Sequence, residues 1–329
     1  MKTILLLVSI LSPLFSVKST LNSKDCIKKL SDSKGNTYSL IEKEMGYQII
    51  DNQTNIVVEE NNDGTSPYAD NDSNLKYFGP MEYYVEKNDS YEHLITHNII
   101  SKNSEFVSLN IETNENSNID SISEGVPVFN STTYTNVANY SILSTIENYA
   151  YNENGTCGYL AACICLYYFH EQWNNKFILS EYMLGKGFTK SFQDKLLNIG
   201  YSLGLKNVTI ASDIAKVLNQ YSKDMNLSFT CSSTLLSSAI KIDSNIKANK
   251  PVIIFGRFVN PSSGSKVNHA LVMYGYKEEN FIGGNGSTST NRYLRVNYGW
   301  GNNYRDVYIL DSIFTNPIGS TVYFGDMNV

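Results

Sequence analysis

The segment Cys157–His170 is apolar on nearly every side of a helix, and this constrains the fold more than any other feature of the chain. It reads Cys-Gly-Tyr-Leu-Ala-Ala-Cys-Ile-Cys-Leu-Tyr-Tyr-Phe-His. Because a helix without a polar face has to be surrounded by other elements, we expect it at the centre of a core. The chain has 329 residues, 42% of them hydrophobic, which is enough for one large domain or two smaller ones.

The sequence after this segment changes from helical to strand-like patterns. Residues Ser212–Leu218 and the segment 233–248 have helical spacing with capping residues at their starts. Apolar runs typical of strands follow at Val252–Phe255, His269–Tyr274, Tyr293–Asn297, Val307–Leu310 and Thr321–Phe324. Helices first and strands later predict an α+β fold.

Residues 20–125 have a different pattern, polar and rich in short alternating runs. Runs typical of strands occur at Tyr47–Ile50, Asn55–Val58, Tyr83–Val85 and Phe106–Ile111, separated by Asn, Asp and Gly clusters. This favours a small β-rich domain at 20–125, followed by a larger domain at 126–329. The polar stretch Asn114–Glu124 is typical of an exposed linker, so we expect a cleavage region near 115–128.

The first 19 residues have the pattern of a secretory signal peptide. Lys2 precedes the apolar run Ile4–Leu11, and small residues follow around Ser16–Ser19. Pro13 interrupts this apolar stretch, and no later segment approaches the ~18 apolar residues that a membrane helix needs. We therefore expect a signal peptide at 1–19 and a secreted protein with no membrane span in the mature chain.

Charge and cysteine content argue against nucleic-acid binding and against a metal site. The formal net charge is −6 and the 26 Lys and Arg residues are scattered, which disfavours nucleic acid as a partner. The five cysteines are an odd number, so at least one thiol stays free in a monomer. No C-x-x-C pair occurs, and we expect neither a metal site nor any other cofactor.

Cys157 is the candidate nucleophile. It follows the turn signal Asn154-Gly155-Thr156 and begins the apolar helix, where the helix dipole favours a thiolate. A nearby imidazolium would lower the thiol pKa further. The alternative is an ordinary core cysteine, which is our expectation for Cys163 and Cys165 in the middle of the helix.

His269 is the candidate general base. It follows the polar loop Ser262–Ser265 and precedes an apolar run, so we expect it at a strand start facing a cleft. His170 closes the helix about 20 Å from Cys157, too far to reach the thiol. The other two histidines, in the N-terminal segment, are His93 and His97.

Asn297 is the candidate that orients the imidazole. A neutral amide can accept a hydrogen bond from the second ring nitrogen of a Cys–His pair. Asn297 ends a strand and precedes Tyr298-Gly299-Trp300-Gly301, where the glycines allow tight turns and the indole can shield the hydrogen bond from water. The alternative is an ordinary asparagine at the end of a strand.

These residues resemble a known family. Gly155-Thr156-Cys157, with Ala161 and Tyr168, resembles the active-site helix of the streptopain-type secreted bacterial cysteine peptidases, within the papain-like superfamily. His269-Ala270 and Asn297-Tyr298-Gly299-Trp300-Gly301 resemble the downstream motifs of that family. The resemblance covers residues 126–329 in motif order, and the N-terminal segment resembles a propeptide domain.

The resemblance implies a papain-like catalytic domain in two halves. A helical half carries the nucleophile and an antiparallel β half carries the histidine and the asparagine, after a small β-rich propeptide-like domain. In this arrangement Cys157 is the nucleophile, His269 the base and acid, Asn297 the residue that orients the histidine, and Trp300 a shield around it.

The sequence departs from the family pattern at two positions. Papain-like enzymes place a glutamine about six residues before the nucleophile to stabilise the oxyanion, but Tyr151 stands there. Asn152 or Asn154 is a candidate for this role, together with the backbone N–H of Cys157, and spacing does not choose between them. In addition, Tyr298 follows Asn297 where the family has tryptophan.

We therefore expect a secreted cysteine endopeptidase made as a zymogen. Its partners would be a polypeptide substrate and its own N-terminal domain, acting as an intramolecular inhibitor. One alternative is a cell-wall amidase or an acyl transferase with the same Cys–His chemistry. Another is a catalytically silent exported binding protein of the same fold.

Overall fold

The computed structural model describes residues 26–33, 35–102, 127–147, 155–173, 176–207, 209–234, 239–259, 266–311 and 320–325. Within these ranges the chain is a mixed α+β structure, as predicted, with one sheet of 15 strands and five α-helices. Several predicted features lie outside the described residues. These are the signal peptide, nearly all of the cleavage region, the strand Phe106–Ile111, the loop Ser262–Ser265, and Tyr151, Asn152 and Asn154.

Residues 26–102, here called the N-terminal unit, form eight strands. They are β1 (Cys26–Ser31), β2 (Thr37–Glu42), β3 (Tyr47–Asp51), β4 (Ile56–Asn61), β5 (Leu75–Tyr77), β6 (Tyr83–Glu86), β7 (Ser90–His93) and β8 (Ile99–Ser101). The order is β4-β3-β2-β1-β5-β6-β7-β8, and every pair is antiparallel except β1 with β5. Strands β3, β4 and β6 confirm the strand predictions for this unit, whereas β1, β2, β5, β7 and β8 were not predicted.

The rest of the described chain contains all five helices and seven strands. The first elements are β9 (Val128–Asn136), α1 (Ser141–Ser144), α2 (Cys157–Gln172), α3 (Lys190–Ser202), α4 (Ala211–Asp224), β10 (Cys231–Thr234) and α5 (Ala239–Lys247). The later strands are β11 (Val252–Val259), β12 (Lys266–Ile282), β13 (Thr288–Asn297), β14 (Val307–Leu310) and β15 (Thr321–Phe324). Their order is β10-β15-β11-β12-β13-β14, and β9 pairs with β12.

Helix α2 lies at the centre of the core, as its all-round apolar sequence predicts. Every residue from Cys157 to His170 is buried, and the helix packs against β11, β12, α3 and α4. Gly158 permits close packing at its first turn, because an added Cβ would lie 2.6 Å from Thr209 Oγ1 and 2.8 Å from Ile214 Cγ1. The core therefore fixes the position and direction of the helix N-terminus.

Two helix predictions need correction. Within the segment 233–248, the described helix is Ala239–Lys247, and the first two residues belong to β10. Helix α4 begins at Ala211, so Ser212 lies within the first turn and does not cap it. Instead, Asp213 Oδ2 accepts a hydrogen bond from the Ile210 N–H at 3.5 Å. Helix α3 was not predicted.

The N-terminal unit joins the rest of the molecule through one strand pair. Strands β4 and β14 are antiparallel, with Glu59 opposite Ile309 and Asn61 opposite Val307. Next to this pair, Asn61 Nδ2 donates to the Asn303 carbonyl at 2.5 Å. Gly64 has no room for a side chain here, since a Cβ would lie 2.0 Å from the same carbonyl oxygen. The sheet is therefore continuous across this junction.

Candidate active site

The Cys157 sulfur lies where helix α2 meets strand β12. Cys157 is the first residue of α2, and only 8% of it is exposed. Its sulfur accepts hydrogen bonds from the backbone N–H groups of Ala270, Gly158 and Cys157 itself. Ala270 directly follows His269, so the fold brings the two principal candidates of the sequence analysis to one place.

Burial raises the pKa of the Cys157 thiol above its ordinary value, although the three backbone N–H groups act in the opposite direction. The sequence predicts a lowered pKa for this thiol, because of the helix N-terminus and a nearby imidazolium. In the structure, the loss of water destabilises the thiolate by more than these three N–H groups stabilise it. The thiol form is therefore favoured in this arrangement.

His269 lies within strand β12 and is held by a backbone carbonyl. The strand begins at Lys266, so His269 is its fourth residue and pairs with Gly256 instead of starting the strand. Its Nε2 donates a hydrogen bond to the Tyr298 carbonyl at 3.0 Å. Burial lowers the pKa of His269 to about 4, which this hydrogen bond only partly offsets. The imidazole is therefore neutral at neutral pH, with its unprotonated nitrogen at Nδ1.

Asn297 does not hold the imidazole, which corrects the predicted contact. Its side chain is fully buried at the end of β13. Nδ2 donates to the Leu143 carbonyl at 3.1 Å, and Oδ1 accepts from the Gly299 N–H at 2.8 Å. Asn297 thus closes the turn that presents the Tyr298 carbonyl to the histidine, and its influence on His269 passes through the backbone.

Trp300 packs beside the histidine on a turn that glycines make possible. Gly299 and Gly301 have φ values of 70° and 80°, in the left-handed region that favours glycine. The Trp300 ring centroid lies 5.4 Å from that of His269. The indole is half-buried, so it covers the imidazole and reduces the access of water to its hydrogen bond.

The N-terminal unit reaches the same tryptophan. The His93 ring meets the Trp300 ring edge-on, with centroids 6.0 Å apart. His93 Nδ1 accepts from the Thr96 N–H at 3.0 Å, and Nε2 donates to the Met81 carbonyl at 2.8 Å. Sequence position alone placed His93 away from the thiol, but the fold brings it to the edge of the site.

A narrow gap separates the first turns of α2 from the ends of β12 and β13. It has no room for a water molecule, and its walls are Cys157, Leu160, Ala161, Ile164, Ala270, Leu271, Val272, Asn297, Tyr298 and Gly299. Among the described residues there is thus no open space beside the sulfur.

A buried glutamine donates a hydrogen bond to Thr156, the residue before Cys157. Gln193 on α3 is 2% exposed, and its Nε2 donates to Thr156 Oγ1 at 3.0 Å. Gln193 is not among the candidates from sequence, because the helix that carries it, α3, was not predicted. The amphipathic spacing of Phe192, Leu196 and Ile199 is the signal that predicts this helix.

The other cysteines and histidines contact other parts of the fold. Cys163 and Cys165 are fully buried in α2. His170 Nδ1 accepts from the Ile178 N–H at 3.0 Å, and His97 is exposed near Glu92. The structure describes all five cysteines, and no two of them form a disulfide.

Within the described part of the chain, no group of three or more His, Cys, Asp or Glu side chains could hold a metal ion. The described helices include none that is long and apolar enough to cross a membrane. Comparison of the chain with models of known protein families and with curated proteins finds no match.

Proposed function

We propose that this chain is a secreted cysteine endopeptidase with a papain-like catalytic domain, made as a zymogen. One observation carries the proposal. The sulfur at the N-terminus of a buried helix accepts a hydrogen bond from the Ala270 N–H, next to a histidine whose Nε2 is fixed by the Tyr298 carbonyl. Nucleophilic catalysis by a thiol needs a nearby base whose position a third group holds, and these contacts support such an arrangement.

In the proposed reaction, the Cys157 thiolate attacks the carbonyl carbon of a peptide bond and forms a C–S bond. The backbone N–H of Cys157 stabilises the oxyanion, with the amide of Asn152 or Asn154 as the second donor. His269, protonated by the thiol, returns the proton to the departing amine as the C–N bond breaks. His269 then activates water, which hydrolyses the thioester and regenerates the thiol. No cofactor takes part.

The other two candidates support the histidine. Asn297 shapes the turn that holds the Tyr298 carbonyl in place, and Trp300 covers the ring. Both are therefore positioning residues in this proposal.

Several features support a resting, uncleaved form. Burial favours an uncharged thiol and an uncharged imidazole, and the gap beside the sulfur does not admit water. The N-terminal unit touches Trp300 through His93. In our proposal the N-terminal unit acts as an intramolecular inhibitor, and cleavage near 115–128 releases it. Polypeptide then enters the site as substrate.

Casein cleavage by the secreted protein tests the proposal. Cys157→Ala should abolish cleavage, since no other described thiol shares the position beside Ala270. Cys163→Ala, a cysteine in the same helix that is fully buried, is the matched control and should retain activity. Equal cleavage by the wild type and by Cys157→Ala would contradict the assignment.

A catalytically silent binding protein is the second candidate, favoured by the raised pKa of Cys157. The two candidates differ after removal of the N-terminal unit. A peptidase should then react stoichiometrically with iodoacetamide at Cys157 at about pH 5–6, where a free thiol is almost unreactive. A silent protein should not react there.

A further inference from the structure

Glu59 is an ionisable group buried at the junction between the N-terminal unit and the candidate active site. It lies on β4, opposite Ile309 of β14, and is fully buried. Tyr47 donates a hydrogen bond to Oε1 at 2.7 Å, and Tyr77 donates to Oε2 at 3.0 Å. Tyr83 also donates to Oε1. The carboxyl group is therefore enclosed by phenols.

These phenols connect with the backbone that holds His269. The Tyr83 ring stacks on Tyr304, with centroids 6.3 Å apart, and Tyr304 stacks on Tyr298 at 6.2 Å. The Tyr298 N–H also donates to the Tyr304 carbonyl at 2.9 Å. Since the Tyr298 carbonyl accepts from His269 Nε2, an unbroken series of contacts runs from Glu59 to the imidazole.

Within the described ranges, no lysine or arginine compensates an ionised Glu59. The groups that face it are Tyr47 from β3, Tyr77 from β5, Tyr83 from β6, Tyr68 from the loop before β5, and Tyr298 from the loop after β13. Burial raises the pKa of Glu59 to about 7, and the three phenol hydrogen bonds lower it by less. Among the described residues, no lysine or arginine contributes to this shift.

We propose that Glu59 and its surrounding tyrosines form a pH-sensitive lock between the N-terminal unit and the loop that holds His269. The lock is closed when the carboxyl group is protonated and loosens when it ionises. A carboxylate in this enclosed position lacks both water and a cation, so opening of the junction, which admits water, relieves its desolvation. The regulatory consequence, exposure of the catalytic cysteine, rests on the proposed function; the lock itself does not.

The direction of this pH dependence follows from the linkage between proton binding and docking. The pKa of Glu59 in the folded chain lies above its ordinary value of 4.5, so the folded, docked form binds the proton more tightly than the open form. Its stabilisation is complete in acid and is lost as the pH rises from about 4.5 toward about 7. Protonation of Glu59 therefore makes the N-terminal unit dock more tightly at about pH 5 than at about pH 8.5.

Hydrogen exchange at the junction tests the lock. Backbone amides of β4 and β14 are compared at about pH 5 and about pH 8.5, after correction for intrinsic exchange, in a full-length Cys157→Ala chain that cannot cleave itself. We expect at least tenfold weaker protection at the higher pH. Glu59→Gln should have nearly the same protection at both pH values, because its amide does not ionise.

Two further variants make the test specific. Glu82 is a second carboxyl group of the N-terminal unit whose pKa is raised, by burial, to about 8, and it is bonded to Tyr84; Glu82→Gln should keep the wild-type pH dependence at β14. Tyr83→Phe removes a hydrogen bond that lowers the Glu59 pKa but keeps the stacked ring. The transition should therefore move to higher pH, and this result does not depend on whether Glu59→Gln folds.

The outcomes separate the lock from the proposed function. Protection at β14 that is independent of pH, or an unchanged transition in Tyr83→Phe, would overturn the lock. Neither result bears on the peptidase, because the chain tested lacks the nucleophile. Conversely, a protein without casein activity that still shows the predicted transition has the lock without the proposed catalysis.

Discussion

Cys157 and His269 are both kept in their uncharged forms by burial, although a thiol nucleophile reacts as the thiolate. The hydrogen-bond partners that surround them are backbone groups, the N–H of Ala270 and the carbonyl of Tyr298. A sequence carries no residue-type signal for a backbone donor or acceptor. Cys157 and His269 stay candidates from residue type and position in the sequence. The sequence has no signal that His269 Nε2 donates to the Tyr298 carbonyl, so the contact was assigned to the Asn297 side chain instead.

Alkylation of the intact chain measures the state of the thiol. In a Cys26→Ser chain, which lacks the exposed thiol, iodoacetamide should modify Cys157 more slowly at about pH 7 than it modifies the same residue in the unfolded protein. The rate should rise about tenfold per pH unit, because the raised pKa leaves little thiolate at neutral pH. A fast rate that is constant above about pH 5 would mean a preformed thiolate–imidazolium pair.

Gly299 is the residue on which the position of the Tyr298 carbonyl depends. Its φ is 70°, and a Cβ would lie 3.1 Å from Leu160 Cδ2. Gly299→Ala should lower the free energy of unfolding by about 2–3 kcal/mol, from backbone strain and crowding together. Gly204→Ala is the matched control, because Gly204 has φ 75° and no heavy atom within 4 Å of an added Cβ.

The control variant Gly204→Ala should lower the free energy of unfolding only through backbone strain, by about 1–2 kcal/mol. Urea unfolding of both variants provides the comparison. Equal losses in the two would show that contact with Leu160 does not restrain the turn.

At the scale of elements, local patterns and long-range pairing differ in how far sequence predicts them. The start of α2 at Cys157 and the bounds of β14 and β15 agree with the predictions, because burial from all sides leaves a continuous apolar run. In contrast, the pairing of β4 with β14 joins residues far apart in sequence. No local pattern encodes that register, so the continuity of the sheet was not predicted.

An ion pair between Glu60 of β4 and Lys277 of β12 crosses the β4–β14 junction and should stabilise it. Lys277 Nζ lies 2.7 Å from Glu60 Oε2 and 3.1 Å from Glu279 Oε1, and Lys277 is 5% exposed. Burial raises the pKa of Glu60, but the charge and hydrogen bond of Lys277, together with Gln48 and Lys43, more than reverse this effect and leave the pKa below its ordinary value. This stabilisation is therefore present at neutral pH and is lost as the pH falls.

Lys277→Met should lower the free energy of unfolding by about 3 kcal/mol at about pH 7, because it leaves the partly buried carboxylates of Glu60 and Glu279 without their cation. The loss should be smaller at about pH 4, where Glu60 is protonated more easily. Urea unfolding at the two pH values measures both effects. Lys190→Met, which breaks an exposed pair with Asp194, should change stability by less than about 0.5 kcal/mol. A Lys277→Met loss as small as that of the control would show that the ion pair contributes nothing to the junction.

At the scale of the whole molecule, the N-terminal unit is part of the same sheet as His269 and Asn297 and contacts the surroundings of His269 at Trp300 and Tyr304. This arrangement supports a resting state in which the unit restrains the site. Removal of the unit would expose the β14 edge and the aromatic surface of the loop that holds His269. We therefore expect cleavage of the chain, and not substrate binding alone, to open the site.

Mass spectrometry of the purified secreted protein tests the central proposal most directly. The wild type should yield a species that has lost the N-terminal unit, with a new N-terminus near residues 115–128. Cys157→Ala should remain uncleaved at that position, while Cys163→Ala should be processed like the wild type. Identical processing of the wild type and Cys157→Ala, in a preparation free of other peptidases, would contradict the proposal that Cys157 is the nucleophile of a self-processing cysteine peptidase.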